Sequence, residues 1–225
     1  MLQIETLYFF ILLQVVIQIY SISKILLVNL HLIMKSQYQV VLSLGSNQGN
    51  RLANIENCIN LIHQEIGTVV QVSKLYETPA WGFESDAFYN CALVLHTNAS
   101  AQKILNQVLK VEKQLGRIRS EQQGYQSRLI DIDLIIYEDE VVDTDKLKVP
   151  HPLMQNRNFV LLPIQDLNLN WKHPIFQKTI SELIAISPDD SVCTVVQSLK
   201  SPLQEIPLQR FNYIAFEGNI GAGKT

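Results

Sequence analysis

Residues 129–137 read LIDIDLIIY, an apolar run that two aspartates interrupt. Successive residues of a strand point to opposite faces of a sheet, so Asp131 and Asp133 share one face. The opposite face carries Ile130, Ile132, Leu134 and Ile136. The run therefore predicts a half-buried strand, and the segments before it decide which sheet it joins.

Five segments before this strand alternate between strand and helix patterns. Strands are predicted over residues 38–44, 70–75 and 90–97. Helices are predicted where apolar residues recur at helical spacing, over residues 52–66 and 100–115. The residues predicted to cap or end these helices are Asn50, Gly67, Ser100 and Gly116.

With the aspartate-bearing strand, the order becomes β-α-β-β-α-β. This order predicts an α+β fold with a ferredoxin-like core. A hairpin near residues 141–149 and one or two short helices before Pro188 are predicted as C-terminal additions.

The composition is that of a folded protein with few charges. Hydrophobic residues make up 47% of the 225 residues and charged residues 17%, which is enough apolar side chain for a core. The formal net charge of −3 excludes binding to nucleic acid through overall charge and leaves a local cationic cluster for any polyanion. The scattered cysteines Cys58, Cys91 and Cys193 lack metal-ligand spacing and fit a reducing cytoplasm.

The first 33 residues are more apolar than the rest of the chain. A membrane anchor needs about 20 apolar residues, and Gln14 and Gln18 weaken that interpretation. A secretory signal normally begins with basic residues, whereas the one charge before the apolar run is Glu5. The favoured interpretation is a translated leader that is not native, with the native start at Met34. The anchor and the signal stay open as alternatives.

The aspartate pair has a chemical and a structural interpretation. Two carboxylates on a half-buried strand are costly unless a cation compensates them. Oxygen ligands that leave most coordination positions to water and phosphate suit Mg²⁺. An Asp-x-Asp pair alone is also typical of a solvated strand face, so its neighbours must decide.

Cationic residues surround the aspartate pair in the sequence. They are Arg117, Arg119, Arg128, His151 and Arg157. Arginines, a histidine and two carboxylates together are the groups that clamp a polyphosphate. Taken singly, each arginine is better explained as a surface residue than as a ligand, and a turn residue before a proline is an alternative for His151.

Several motifs in order resemble those of the 6-hydroxymethyl-7,8-dihydropterin pyrophosphokinase family, from about residue 39 to at least residue 186. The matching segments are GSN at 45–47, YETPAWG at 76–82, FYN at 88–90, GRIR at 116–119, SRLIDID at 127–133, VPH at 149–151 and NRNF at 156–159. The resemblance implies transfer of pyrophosphate from ATP to 6-hydroxymethyl-7,8-dihydropterin in folate synthesis, with AMP as the leaving group.

The resemblance also implies a role for each matching residue. Asp131 and Asp133 would hold two Mg²⁺ ions that bridge the ATP phosphates, and with Arg117, Arg119 and Arg128 they form the implied catalytic set. The residues implied to bind ATP are Glu112, Arg117, Arg119, Arg128, His151 and Arg157. The residues implied to bind the pterin are Thr78, Pro79, Trp81, Phe88, Asn90 and Phe159.

A second motif lies at the C-terminus. Residues 218–225 read GNIGAGKT, which fits the phosphate-binding pattern GxxxxGK[ST] and follows a predicted strand at 213–216. The string from Phe216 resembles the start of deoxynucleoside kinases. We therefore expect a pterin pyrophosphokinase domain over residues 34–200, a linker over 201–211 and the truncated start of a fused nucleoside kinase over 212–225.

The alternative function is a non-catalytic ferredoxin-like module that binds a nucleotide or a regulatory partner. Such a module would tolerate the loss of Asp131 and Asp133, yet both are present together with the arginines. The expected partners are the small molecules ATP and dihydropterin, with no nucleic acid and no membrane. The expected location is the cytoplasm.

Overall fold

A computed structural model describes residues 37–80, 85–117 and 127–205. Predictions for the leader at 1–33, for Trp81 and Arg119, and for the phosphate-binding motif lie outside these ranges. No helix among the described residues has the length and apolar character needed to cross a membrane.

The strands among the described residues, in chain order, are β1 Tyr38–Ser46, β2 Thr68–Val72, β3 Lys74–Thr78, β4 Phe88–Thr97, β5 Asp131–Tyr137, β6 Val142–Asp143, β7 Lys148–Val149 and β8 Thr194–Ser198. Six of them form one sheet in the order β5-β1-β4-β3-β8, with β2 beside β4. Strands β6 and β7 pair as a separate two-stranded hairpin. The predicted α+β, ferredoxin-like core and its C-terminal hairpin are confirmed.

Two helices cover one face of the sheet, α1 at Arg51–Glu65 and α2 at Ala101–Gln114. Both begin at the predicted caps, since Asn50 accepts a hydrogen bond from the Ala53 amide and Ser100 accepts one from the Lys103 amide. Their apolar faces pack with the inward residues of β1 and β4 in the larger core cluster. The caps and the helical period were both visible in the sequence.

The other face is covered by α3 at Asn158–Asp166 and α4 at Ile180–Ile186. Val160, Leu161 and Ile164 of α3 pack in a second core cluster with residues of β1, β4 and β5. Helix α4 begins with a capping box in which Thr179 and Glu182 exchange hydrogen bonds. Strands β1, β4 and β5 of the sheet are therefore covered on both faces.

Two details of the sheet differ from the sequence prediction. The predicted second strand is two strands, because Ser73 interrupts it: its amide donates to the Ala92 carbonyl, and its hydroxyl accepts from the Ala92 amide. The predicted position of Ile136 is wrong. It packs in the second core cluster, opposite to Leu134, because a bulge between β1 and β5 shifts the register at this point.

Strand β8 was not predicted. It pairs with β3 at the sheet edge, and all five of its residues are exposed. An edge strand that buries neither face lacks the apolar–polar alternation that marks a strand in sequence.

Candidate active site

A cavity of about 320 Å³ opens where several strand ends meet the start of α3. Its walls come from β1, β3, β4 and β5, from the segment after β7 and from the first turn of α3. The lining residues are Ser43, Gly45, Thr78, Pro79, Phe88, Asn90, Arg128, Asp131, Asp133, His151, Leu153, Arg157 and Phe159. Sites of this size and mixed character hold small molecules.

The two aspartates sit at the start of β5, and both line the cavity. In the ladder with β1, Asp131 lies opposite Gly45 and Asp133 lies opposite Ser43. Burial, and then the charge of Asp131, raises the pKa of Asp133 to about 7, against an ordinary value of 3.8. The cavity thus holds one carboxylate whose charge is poorly compensated in the free protein.

Asp131 is in contact with two arginines. Arg117 contacts one of its oxygens, and Arg128 donates to the other at 2.5 Å. Arg117 also contacts Glu112, whose side chain is 2% exposed and accepts a hydrogen bond from the Ile132 amide at 2.9 Å. Glu112 therefore lies beneath β5 and holds Arg117 beside the cavity, and neither of these two residues is part of its lining.

His151 faces the same carboxylates from the segment after β7. Its backbone amide donates to the Ile135 carbonyl, and its Nδ1 accepts from the Leu153 amide. Burial, and then the nearby charge of Arg157, lowers the pKa of His151 to about 4. At neutral pH the ring is therefore uncharged, and because Nδ1 is an acceptor, Nε2 carries the proton and is a hydrogen-bond donor.

The cavity lining also includes apolar rings and a buried side-chain amide. Asn90, which is 4% exposed, donates to the Thr78 hydroxyl at 2.7 Å. Phe88 and Phe159 line the same space. A Cβ at Gly45 would meet the Asn90 side-chain oxygen at 2.9 Å, so glycine is required there for Asn90 to keep its position. These groups suit a flat, polar heterocycle.

Asn47, to which the sequence assigned no role of its own, ties the walls together. It is 3% exposed; its Oδ1 accepts from the Arg128 amide at 2.7 Å, and its backbone amide donates to the Arg128 carbonyl. Its Nδ2 donates to the hydroxyls of Ser85 and Ser127. Asparagine in a turn often makes such backbone bonds, which is the signal that the sequence offered.

Three lining residues, Ser43, Gly45 and Leu153, were not predicted as site residues. Ser43 and Gly45 line the cavity because they pair with Asp133 and Asp131 of β5, and the sequence does not reveal this register. Leu153 is 37% exposed at the rim, and an exposed leucine after a proline gives no signal of function.

The arrangement offers two chemically different sets of groups. One set is two carboxylates beside arginines and a neutral histidine, and the other is aromatic rings and a buried amide. No group of three or more metal-ligating side chains forms in the parts of the chain that the structure describes. A metal bound by the carboxylate pair would complete its shell with water or with oxygens of a bound phosphate, as Mg²⁺ commonly does.

Comparison with known proteins finds the same family over most of the span that the motifs predicted. The family model described as 7,8-dihydro-6-hydroxymethylpterin-pyrophosphokinase matches residues 41–169, more than half of the chain. The chain is 40% identical over 144 residues to the 2-amino-4-hydroxy-6-hydroxymethyldihydropteridine pyrophosphokinase of Aquifex aeolicus, covering 64% of this chain and 88% of that protein. It is 36% identical to the folic acid synthesis protein FOL1 of Dictyostelium discoideum, covering 64% of this chain but 22% of that protein.

The fold also resembles solved structures. The wild-type HPPK-DHPS of Plasmodium falciparum with pteroate aligns with a TM-score of 0.56 at 15% identity. The alignment covers 66% of this chain and 44% of that one, so this chain matches less than half of the larger protein. At this identity the likeness concerns the fold alone.

Proposed function

Because the chain belongs to the 7,8-dihydro-6-hydroxymethylpterin-pyrophosphokinase family and transfers pyrophosphate from ATP to 6-hydroxymethyl-7,8-dihydropterin, we propose that the cavity described above is where the transfer takes place. The observation that carries this proposal is that one cavity is lined both by a carboxylate pair flanked by arginines and by aromatic rings with a buried amide. The products are AMP and the pterin diphosphate of folate synthesis. A non-catalytic module would have no need of both sets of groups.

The aspartates are proposed to hold Mg²⁺. Carboxylate oxygens are the donors that Mg²⁺ prefers, and the raised pKa of Asp133 indicates a site that favours a compensating cation. Two ions are proposed at Asp131 and Asp133; when bound to the ATP phosphates, they would neutralise charge that develops during transfer. Asp131 must then share its oxygens between metal and the arginines that contact it.

The other residues are proposed to bind and orient the two substrates. Arg128 and Arg157 line the cavity and would contact phosphate oxygens, while Arg117 is held beside them by Glu112. Neutral His151 would donate its Nε2 hydrogen to a phosphate oxygen. Thr78, Pro79, Asn90, Phe88 and Phe159 would hold the pterin so that its hydroxymethyl oxygen lies in line with the β-phosphorus. Trp81 and Arg119, which lie outside the described residues, are proposed for the pterin and the phosphates respectively.

The test of this function is AMP release from ATP. Purified chain should form AMP only when 6-hydroxymethyl-7,8-dihydropterin and Mg²⁺ are both present. AMP release that does not depend on the pterin, or ADP as the product, would contradict the proposal.

Asn90→Ala should weaken dihydropterin binding by about 10-fold or more while leaving ATP binding within about twofold. A ring that loses one buried hydrogen-bond partner loses roughly 1–3 kcal/mol, whereas the ATP phosphates are proposed to contact the arginines and not Asn90. Calorimetry with each ligand separately measures the difference. Equal losses for both ligands would place the pterin elsewhere.

The domain boundaries and the location are also proposals. Residues 34–200 are proposed as the pyrophosphokinase domain, preceded by a leader at 1–33 and followed by a linker at 201–211. Residues 212–225 are proposed as the beginning of a fused nucleoside kinase domain, on the strength of the GNIGAGKT motif. A cytoplasmic location is proposed because Cys58, Cys91 and Cys193 are all unpaired.

Lys224→Ala should leave pterin pyrophosphorylation unchanged. The cavity is lined by residues between 43 and 159, and Lys224 belongs to a different motif. Steady-state rates of AMP formation for both chains check this, with Arg128→Ala as the variant that should lose activity. A fall in rate for Lys224→Ala would mean that the two motifs serve one reaction.

A further inference from the structure

Helix α3 begins without a cap of its own. Arg157 occupies the N-cap position with extended backbone angles, and its side chain makes no capping hydrogen bond. The first turn also lacks an acidic residue. Since the first N–H groups of a helix have no partner within it, they need an acceptor from elsewhere.

Asp189 supplies that acceptor from 31 residues further along the chain. Its Oδ2 accepts from the Asn158 amide at 2.6 Å, and its backbone carbonyl accepts from the Asn158 side-chain amide. A carboxylate at this position also interacts favourably with the positive end of the helix dipole. The acceptor is itself fixed, because its Oδ1 accepts from the Ser191 amide and its own amide donates to the Ser187 hydroxyl.

The residues on either side of Asn158 are both part of the cavity. Arg157 is 5% exposed and Phe159 is partly buried, and the Arg157 guanidinium carbon lies 5.6 Å from the centre of the Phe159 ring. The far side of α3 is fixed by Val160, Leu161 and Ile164 in the second core cluster. At the start of the helix, the Arg157 amide donates to the Met154 carbonyl and the Arg157 carbonyl accepts from the Val160 and Leu161 amides, while the next amide, that of Asn158, is held by Asp189.

We propose that Asp189 is a positioning residue for the transfer reaction: by anchoring the Asn158 amide, it sets the places of Arg157 at the phosphates and of Phe159 at the pterin. This inference rests on the proposed function of the cavity. It also assigns a task to the 187–191 segment, which contributes no residue to the lining.

Asp189→Ala should lower kcat/KM by about 10-fold, with higher KM values for both ATP and dihydropterin, because a lost helix cap lowers the ratio of ordered to disordered helix starts by a factor of that order. Asp189→Asn keeps an oxygen acceptor and should recover most of the activity. The matched control is Asp190→Ala, which removes an exposed carboxylate next to it and should behave as wild type. Assays are run well below the unfolding temperature of every variant.

Hydrogen exchange on the ligand-free chain tests the anchor independently of activity. The Asn158 amide should exchange faster in Asp189→Ala than in wild type and in Asp190→Ala. If the Asn158 amide of Asp189→Ala exchanges faster but the kcat/KM of this variant is unchanged, the proposal is overturned. It is also overturned if Asp189→Ala and Asp189→Asn are equally reduced in activity.

If wild-type chain releases no AMP, the proposed function fails, while the exchange result still decides whether Asp189 anchors α3. If the alanine variant does not fold, the comparison of Asp189→Asn with wild type by the same two measurements decides the outcome.

Discussion

Asp133→Asn is expected to abolish pterin-dependent AMP formation, with kcat/KM at least about 10³-fold lower, and to leave the chain at least as stable as wild type. A metal ion contributes several kcal/mol to stabilising a charged transition state, and each 1.36 kcal/mol corresponds to a factor of ten in rate. Asparagine is close to aspartate in shape but is a poor ligand for Mg²⁺. Stopped assays of AMP at saturating Mg²⁺ measure the loss.

The expected stability of Asp133→Asn follows from the raised pKa of Asp133. A carboxylate whose pKa rises from 3.8 to about 7 on folding adds stability below pH 3.8, and that contribution is lost as the pH rises through 7. At pH 8 without Mg²⁺, a neutral asparagine therefore removes no stabilising charge. Urea unfolding at pH 6 and pH 8 should show a smaller decrease with pH in the variant than in wild type.

Asp131→Asn is the matched comparison. It should lose turnover to a similar extent, but it should also lose stability, because Asp131 pairs with Arg117 and Arg128 in the free protein. Mg²⁺-dependent turnover near the wild-type rate in Asp133→Asn would contradict the metal assignment. Equal stability losses in the two variants would contradict the difference in environment.

The local features of this fold could be predicted from the sequence because they depend on neighbours in the chain. The same-face position of Asp131 and Asp133 follows from the period of a strand, and the helix starts at Asn50 and Ser100 follow from capping chemistry. The order of elements then limited the sheet to the ferredoxin-like arrangement.

What the sequence could not reveal depends on register and on distant contacts. The bulge that places the Ile136 side chain on the other face of the sheet arises from the pairing of β1 and β5, which are about 90 residues apart in the chain. Ser43 enters the cavity through the same pairing, and Asp189 meets Asn158 only after the chain has passed through α3 and α4. None of these contacts leaves a periodic or spacing signal.

Glu112→Ala is expected to lower the free energy of unfolding by about 3 kcal/mol, the range found when one partner of a buried ion pair is removed. The side chain is 2% exposed, and its loss leaves the Ile132 amide without the acceptor that it has at 2.9 Å. Arg117 would lose its contact with Glu112 and keep its contact with Asp131. Activity should fall as well, because Arg117 and the start of β5 are both held by this carboxylate. Urea unfolding and AMP assays on the same samples measure the two effects.

Glu112→Gln separates the hydrogen bond from the charge. It keeps an oxygen for the Ile132 amide and most of the buried volume, so it should retain more stability than the alanine variant while still loosening Arg117. Glu65→Ala is the matched control, since it removes a carboxylate at the protein surface that contacts Lys110 and Gln114 of α2; it should change stability much less than Glu112→Ala and should leave activity unchanged. If Glu112→Ala unfolds like this surface control, the carboxylate does not support β5. If Glu112→Ala is destabilised but retains full activity, the Glu112 carboxylate does not hold Arg117 in a place that matters for the reaction. The phosphate contacts proposed for Arg117 would then be assigned to the arginines that line the cavity.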